Sequence, residues 1–268
     1  MAGLSFAPRM KLRRTWMAAL SRLCGVCSLW ALYACTSLAL AQDYEREGRW
    51  AEQTLATLMV GDAVYLTQAN GHRFLALYTR AENKPKGAVI VAHGRGWGPD
   101  FELYGALRTM LAEAGYSTLS IQMPVLSGTA NLAEYMPMYA DAGERLKLAT
   151  DWLRAKGYAK MAIVSHSLGA TMTNHYLADS ADPRIDAWVF VGIINGLEKM
   201  SRIRIPVLDV FGTRDWLATR YGADERRAQI AKVAGSEQVV VDGAEHFFEH
   251  QHAELSRVIA AFLDKALR

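Results

Sequence analysis

The chain has 268 residues, 51% of them hydrophobic, and a formal charge of +3. The first 41 residues carry five basic side chains (Arg9, Lys11, Arg13, Arg14, Arg22), no acidic one, and all three cysteines, Cys24, Cys27 and Cys35. From residue 42 onward 25 basic residues face 27 acidic ones and no cysteine remains. This excludes disulfides, thiolate metal sites and a cysteine nucleophile there, and removes any electrostatic case for a nucleic-acid partner.

The basic start, the uncharged apolar run from Leu23 and the small-x-small end Ala39-Leu40-Ala41 form the pattern of a secretory signal peptide. Cleavage is expected between Ala41 and Gln42, giving an exported protein, periplasmic or secreted. Three readings compete: an uncleaved anchor, a twin-arginine signal around Arg13-Arg14, and a lipoprotein box at Leu32-Tyr33-Ala34-Cys35, which Tyr33 fits poorly. On the first reading Cys24-Gly25-Val26-Cys27 is part of the signal and not a redox motif. The 227 residues left, 42–268, suffice for one domain with one substantial core, and no later apolar run is long enough to span a membrane.

Residues 63–66 and 74–80 read as two strands around the turn dipeptide Asn70-Gly71, a hairpin. Residues 87–93, "GAVIVAH", form a short continuous apolar run, as expected of a strand buried on both faces. Strand and helix then alternate. The helix 101–114 precedes the strand 117–122, the helix 140–156 precedes 161–164, and the helix 168–178 precedes 187–191. Strands 206–211 and 238–241 and a closing amphipathic helix, 249–267, complete the pattern. The order predicts an α/β fold: a doubly wound, mainly parallel sheet with an N-terminal antiparallel hairpin. In such sheets reactive groups lie beyond the carboxyl ends of the strands.

Three of those ends carry the side chains of an acyl-transfer site. Strand 161–164 runs through Ser165-His166-Ser167-Leu168-Gly169 straight into a helix, the context in which a nucleophile elbow forms. The spacing makes Ser167 the candidate nucleophile, with Gly169 and Ser165 as its small neighbours. Ser165 stands where glycine is usual. The competing reading of Ser167 is a helix cap. His166, directly adjacent along the chain, cannot fold back as the base and is assigned to packing around the site, with lining of the pocket as the alternative. Asp215, a few residues past strand 206–211, is the candidate acid that orients a histidine. It competes with a capping role, and Asp209 is held in reserve as an acid placed for structure. Of the histidines, only His246 sits in a loop after the last strand and downstream of both other residues. His250 and His252 are expected to be solvated on the closing helix. Arg95 N–H, in His93-Gly94-Arg95-Gly96-Trp97-Gly98 after the first buried strand, and Leu168 N–H are the candidate oxyanion-hole donors. The Arg95 side chain is expected in solvent.

With these residues in place the chain resembles the α/β-hydrolase superfamily, at its compact, dienelactone-hydrolase-like end. The likeness rests on "VAHGRGWG", "VSHSLGA", "VFGTRD" and "GAEHFF" and runs from about Gly87 to the C-terminus; "TLSIQMP", Thr118 to Pro124, also resembles an uncharacterised branch of exported bacterial proteins. It implies a serine hydrolase, carboxylesterase-like, with Ser167 as nucleophile, His246 as general base and Asp215 as its orienter, and no cofactor or metal. It implies a small-molecule acyl substrate as partner, with no nucleic acid and no membrane span in the mature chain. The interval 192–204 is too short for the helical lid of many relatives. Segment 126–138, with Tyr135, Met136 and Met138 and with Tyr139 adjoining, is expected to border the pocket, although for each of these residues taken singly a core position is the better assignment. A non-catalytic envelope binding or assembly protein, and a peptidase or acyltransferase with the same triad, are the other readings.

Overall fold

The computed structural model describes residues 42–194 and 196–268. The expected signal peptide, with its export and cleavage, lies outside the described residues.

Helix α1 (Tyr44–Thr57) opens the domain, capped by Asp43, whose side chain accepts from Arg46 N–H at 2.9 Å. It is absent from the sequence reading for a physical reason. Its buried residues are Glu47 and Ala51, so no apolar stripe marks it. Its anchor is electrostatic: Arg145, fully buried, grips Glu47 through Nη1 at 3.0 Å and Nη2 at 3.1 Å.

Strands β1 (Asp62–Thr67) and β2 (Arg73–Thr79) form the expected antiparallel hairpin, with Thr67 opposite Arg73. Then follow β3 (Gly87–Ala92), α2 (Glu102–Glu113), β4 (Tyr116–Ile121), α3 (Tyr139–Ala155), β5 (Met161–His166), α4 (Leu168–Asp179), β6 (Ala187–Val191), β7 (Val207–Gly212), α5 (Leu217–Tyr221), α6 (Ala223–Ile230), β8 (Glu237–Val241) and α7 (His252–Ala266). The strands make one sheet in the order β1-β2-β4-β3-β5-β6-β7-β8. β2 meets β4 antiparallel, and from β4 to β8 every pairing is parallel.

The two faces of the sheet follow the period-two alternation of the strands. Ile90, Ile163, Trp188 and Phe190 face the layer of α3 and α4, with Leu146, Leu153 and Met172. Val89, Val164, Val189 and Val210 face α2 and α7, with Leu107, Leu111, Ile259 and Phe262. Burying each such side chain stabilises the fold by roughly 1.5–3 kcal/mol. The two-sided burial of β3 to β7 therefore makes the sheet centre the rigid platform for the loops at its carboxyl edge.

Two boundaries differ from expectation by more than one residue. β5 continues past residue 164, because Ser165 and His166 still pair with Phe190 and Val191. The closing helix begins at His252, not residue 249, since Phe248 and His250 stand at φ +55° and +60°. His250 is thus exposed but outside the helix, and His252 is half-buried, its Nε2 3.2 Å from the Phe247 carbonyl.

Candidate active site

Ser167 is the first residue beyond β5 and stands at φ +52°, ψ −122°, with α4 starting at Leu168. A non-glycine residue held there costs about 1–3 kcal/mol, a strain that lasts only where the surroundings impose it. They do: Ser167 N–H donates to Val191 O and Ser167 O accepts from Ala170 N–H, each at 2.9 Å. The turn leaves no room at Gly169, where an added Cβ would collide with the carbonyl oxygens of Ala92 and His93. Ser165 fits in glycine's usual place because its buried hydroxyl is satisfied, accepting from Trp188 Nε1–H at 2.8 Å and donating to Val189 O at 3.3 Å. Ser167 makes no side-chain cap bond to α4. Its Oγ instead lies 3.1 Å from His246 Nε2.

His246 Nδ1–H donates to Asp215 Oδ1 at 2.7 Å, and both side chains are buried. That bond puts the proton on Nδ1 and leaves the Nε2 lone pair toward Ser167, the arrangement a general base needs. The turn after β7 is laced to the turn after β8: Thr213 N–H donates to Val241 O and Arg214 N–H to Ala244 O, both at 3.0 Å. The lacing holds Asp215 and His246 together. Asp215 does not cap α5; its Oδ1 also accepts from Trp216 N–H at 2.6 Å. Asp209 faces away from this site and pairs with Arg226 Nε at 2.8 Å, both side chains fully buried. Burial raises the Asp209 carboxyl above its ordinary range, with Arg226 pulling the other way.

In the loop after β3, both polar groups of Gly94 are taken. Its N–H donates to Tyr104 Oη at 2.9 Å, and its carbonyl accepts from His93 Nδ1–H at 2.7 Å. His93 is held neutral, its pKa lowered to about 4, first by burial and then by the positive charge of Arg145. With Gly94 committed, Arg95 N–H is the next donor along the loop. Neither it nor Leu168 N–H has a partner among the described residues. The Arg95 side chain is exposed, as expected, but tethered, donating from Nη1 to Ala130 O at 3.0 Å.

Ser167 and His246 open into a cavity of about 270 Å³ walled by Arg95, Trp97, Leu132, Ile194, Trp216 and Phe247. Among the described residues, hollows of about 690, 450 and 330 Å³ are larger, but none of them holds a serine beside a histidine. Segment 126–138 does border the cavity, through Leu132; Tyr135 and Met138 are core, Tyr139 packs against it and Met136 projects outward. Trp216 and Phe247 complete the wall, and the signal for them in the sequence is adjacency, since each directly follows a candidate residue. Among the described residues the interval 192–204 carries one 3₁₀ turn, Met200–Arg202, and no lid. No group of three or more His, Cys, Asp or Glu side chains among the described residues converges as metal ligands would.

Solved structures share this architecture. A dienelactone hydrolase from Anabaena variabilis superposes with a TM-score of 0.63 at 20% identity, over 77% of this chain and 98% of that one. This chain has the α/β-hydrolase fold. An α/β-hydrolase described as a serine hydrolase without a lid, from Xanthomonas campestris, gives 0.62 at 14% identity, over 77% and 95%. An esterase from Pyrococcus furiosus gives 0.63 at 17%, over 77% and 91%. The family "Protein of unknown function (DUF3530)" matches residues 36–144. That match ends before Ser167, Asp215 and His246. No curated protein sequence matches the chain.

Proposed function

We propose that this α/β-hydrolase-fold protein is a serine hydrolase that cleaves small esters or related acyl compounds. One observation carries the reading: the run from Ser167 Oγ to His246 Nε2 to Asp215, at 3.1 and 2.7 Å, mounted on a strained elbow. A binding protein has no use for the backbone cost at Ser167, whereas a nucleophile must be thrust out of the strand.

In the reaction His246 Nε2 takes the Ser167 proton as Oγ attacks the substrate carbonyl carbon. Arg95 N–H and Leu168 N–H receive the developing oxyanion. His246 then gives the proton to the leaving alcohol, and an acyl-enzyme remains. Water, deprotonated by the same histidine, releases the acid and restores Ser167. The cavity lies at the small end of ligand-site volumes and is walled mainly by apolar and aromatic groups. A compact apolar acyl group suits it best.

The export reading belongs to the same proposal. Asp43 N–H already donates to Val125 O at 2.8 Å, and Gln42 Nε2–H to Glu47 Oε2 at 3.1 Å, so a chain beginning at Gln42 would be docked from its first residues. N-terminal sequencing of exported protein should begin at Gln42; material beginning at Met1 would refute cleavage.

The deciding experiment is labelling of residues 42–268 by a fluorophosphonate probe. Wild type should label and Ser167→Ala should not. A folded wild type that stays unlabelled would defeat the hydrolase reading.

A further inference from the structure

His166 has no part in the steps above, yet it is buried between the base and the loop after β3. Its Nε2 lies 3.0 Å from the His246 carbonyl oxygen, and its Nδ1 lies 2.9 Å from Tyr104 Oη. Tyr104, on α2, in turn receives Gly94 N–H. The direction of every bond in this series is fixed by chemistry. An amide N–H only donates, so Tyr104 Oη accepts from Gly94 and must spend its one proton on His166 Nδ1. The His166 proton therefore sits on Nε2 and is donated to the His246 carbonyl, which only accepts. Burial above all, with the neighbouring His246 next, pushes His166 well below its ordinary range and keeps it in the singly protonated form this series requires.

The other side of the Gly94 peptide is fixed as well. Its carbonyl is held by His93 Nδ1–H, and His93 Nε2 accepts from Met123 N–H at 2.8 Å. In a planar trans peptide the N–H points opposite to the carbonyl. Holding the Gly94 carbonyl inward therefore aims Arg95 N–H the other way. The junction is tight: a Cβ added to Gly94 would stand 3.1 Å from Tyr104 Oη, 3.2 Å from His166 Nδ1 and 3.2 Å from Ser167 Cβ.

We propose that Tyr104 and His166 are positioning residues that set the distance between the oxyanion donors and the base, by tying the Gly94–Arg95 loop to the backbone of His246 through one directed series of hydrogen bonds. The role rests on the hydrolase reading; the bonding pattern does not. It also explains why a histidine stands directly before the nucleophile without touching its proton.

The test uses residues 42–268 carrying Tyr104→Phe, His166→Gln or His166→Leu, read by the rate of fluorophosphonate labelling and by kcat and KM on a short p-nitrophenyl ester. Tyr104→Phe should lower kcat and the labelling rate about tenfold to a hundredfold, with KM changed less than about twofold, because the reacting groups are displaced and the pocket is not. His166→Gln keeps an N–H for the His246 carbonyl and should stay closer to wild type than His166→Leu. Nitrogen NMR should show His166 protonated at Nε2 in the wild type, and Tyr104→Phe should shift its Nδ1 resonance. If His166→Leu fails to fold, Tyr104→Phe and the spectrum still decide. A wild type that labels beside Tyr104→Phe that labels equally fast overturns the positioning role alone, as does a His166 proton found on Nδ1. A wild type that does not label overturns the hydrolase reading together with the role built on it.

Discussion

The indole of Trp216 lies flat on the imidazole of His246, ring centroids 3.6 Å apart and planes inclined by 14°. Trp216 follows Asp215 in sequence, so one turn supplies the acid that holds His246 by its edge and the ring that covers its face. Half of Trp216 remains exposed, which makes it a wall of the cavity as well. When His246 takes the Ser167 proton, the new cation sits against a π face, an interaction worth about 0.5–2 kcal/mol. Trp216→Ala should therefore lower kcat about 2- to 30-fold and raise KM through the lost wall. Trp216→Phe should recover most of kcat. Steady-state kinetics on a short ester decides it, and an unchanged kcat in Trp216→Ala would dispose of the stacking argument.

Asp215 and Asp209 make a matched pair of tests, since both are buried acids, one just past β7 and one within it, and they face different partners. Asp215→Asn should leave the fold intact and cut turnover by about 10⁴, because an amide can stabilise the wrong tautomer of His246. Asp209→Asn takes the charge from a buried pair with Arg226 and should cost stability, up to about 3–5 kcal/mol, while the folded fraction keeps its turnover. Urea unfolding combined with kinetics on both variants separates the roles. Full activity in Asp215→Asn would mean the orienting acid is elsewhere.

The ion pair beneath α1 gives a prediction about architecture. Glu47→Ala would leave the guanidinium of Arg145 buried without its carboxylate, and should destabilise the domain by about 3–5 kcal/mol. Replacing both, Glu47→Leu with Arg145→Met, should recover much of that loss, because the burial penalty goes with the charges. Urea midpoints for the single and double variants provide the measurement. A double variant no better than the single one would show that the pair, and not its desolvation, sets the balance.

What could be read from the sequence follows from how each feature is encoded. All eight strands are legible because β-branched and apolar runs such as Val89–Ile90–Val91 and Val189–Phe190–Val191 are encoded locally. The grouping of Ser167, Asp215 and His246 is legible because parallel strands deliver their carboxyl ends to one edge. Helix α1 is not, since its docking depends on Arg145, almost a hundred residues away, and its own pattern is polar. The cavity wall is not, because whether Tyr135, Met136 or Leu132 faces the site depends on where one short 3₁₀ helix, Ala133–Met138, begins and how it is turned, and six residues show no period to read. The link through His166 is invisible for a similar reason: Tyr104 and Gly94 become its neighbours only when α2 packs on the sheet.

The buried histidines predict how stability depends on pH. His93, with both nitrogens engaged, has its pKa lowered from 6.5 to about 4. Between those values the unfolded chain binds a proton at this residue that the folded chain does not, so stability rises with pH there and falls on acidification. The contribution is complete above pH 6.5 and is lost progressively down to about pH 4, amounting to roughly 3 kcal/mol for this residue. His166 is shifted in the same direction, by burial first, and steepens the same decline. Urea unfolding at pH 7, 5.5 and 4.5 should show a falling free energy of unfolding, and His93→Asn should flatten the slope while lowering stability at pH 7. A wild-type stability flat from pH 7 to 4.5 would mean that these histidines take up protons as readily in the folded chain as in the unfolded one, with the loop after β3 held by other bonds.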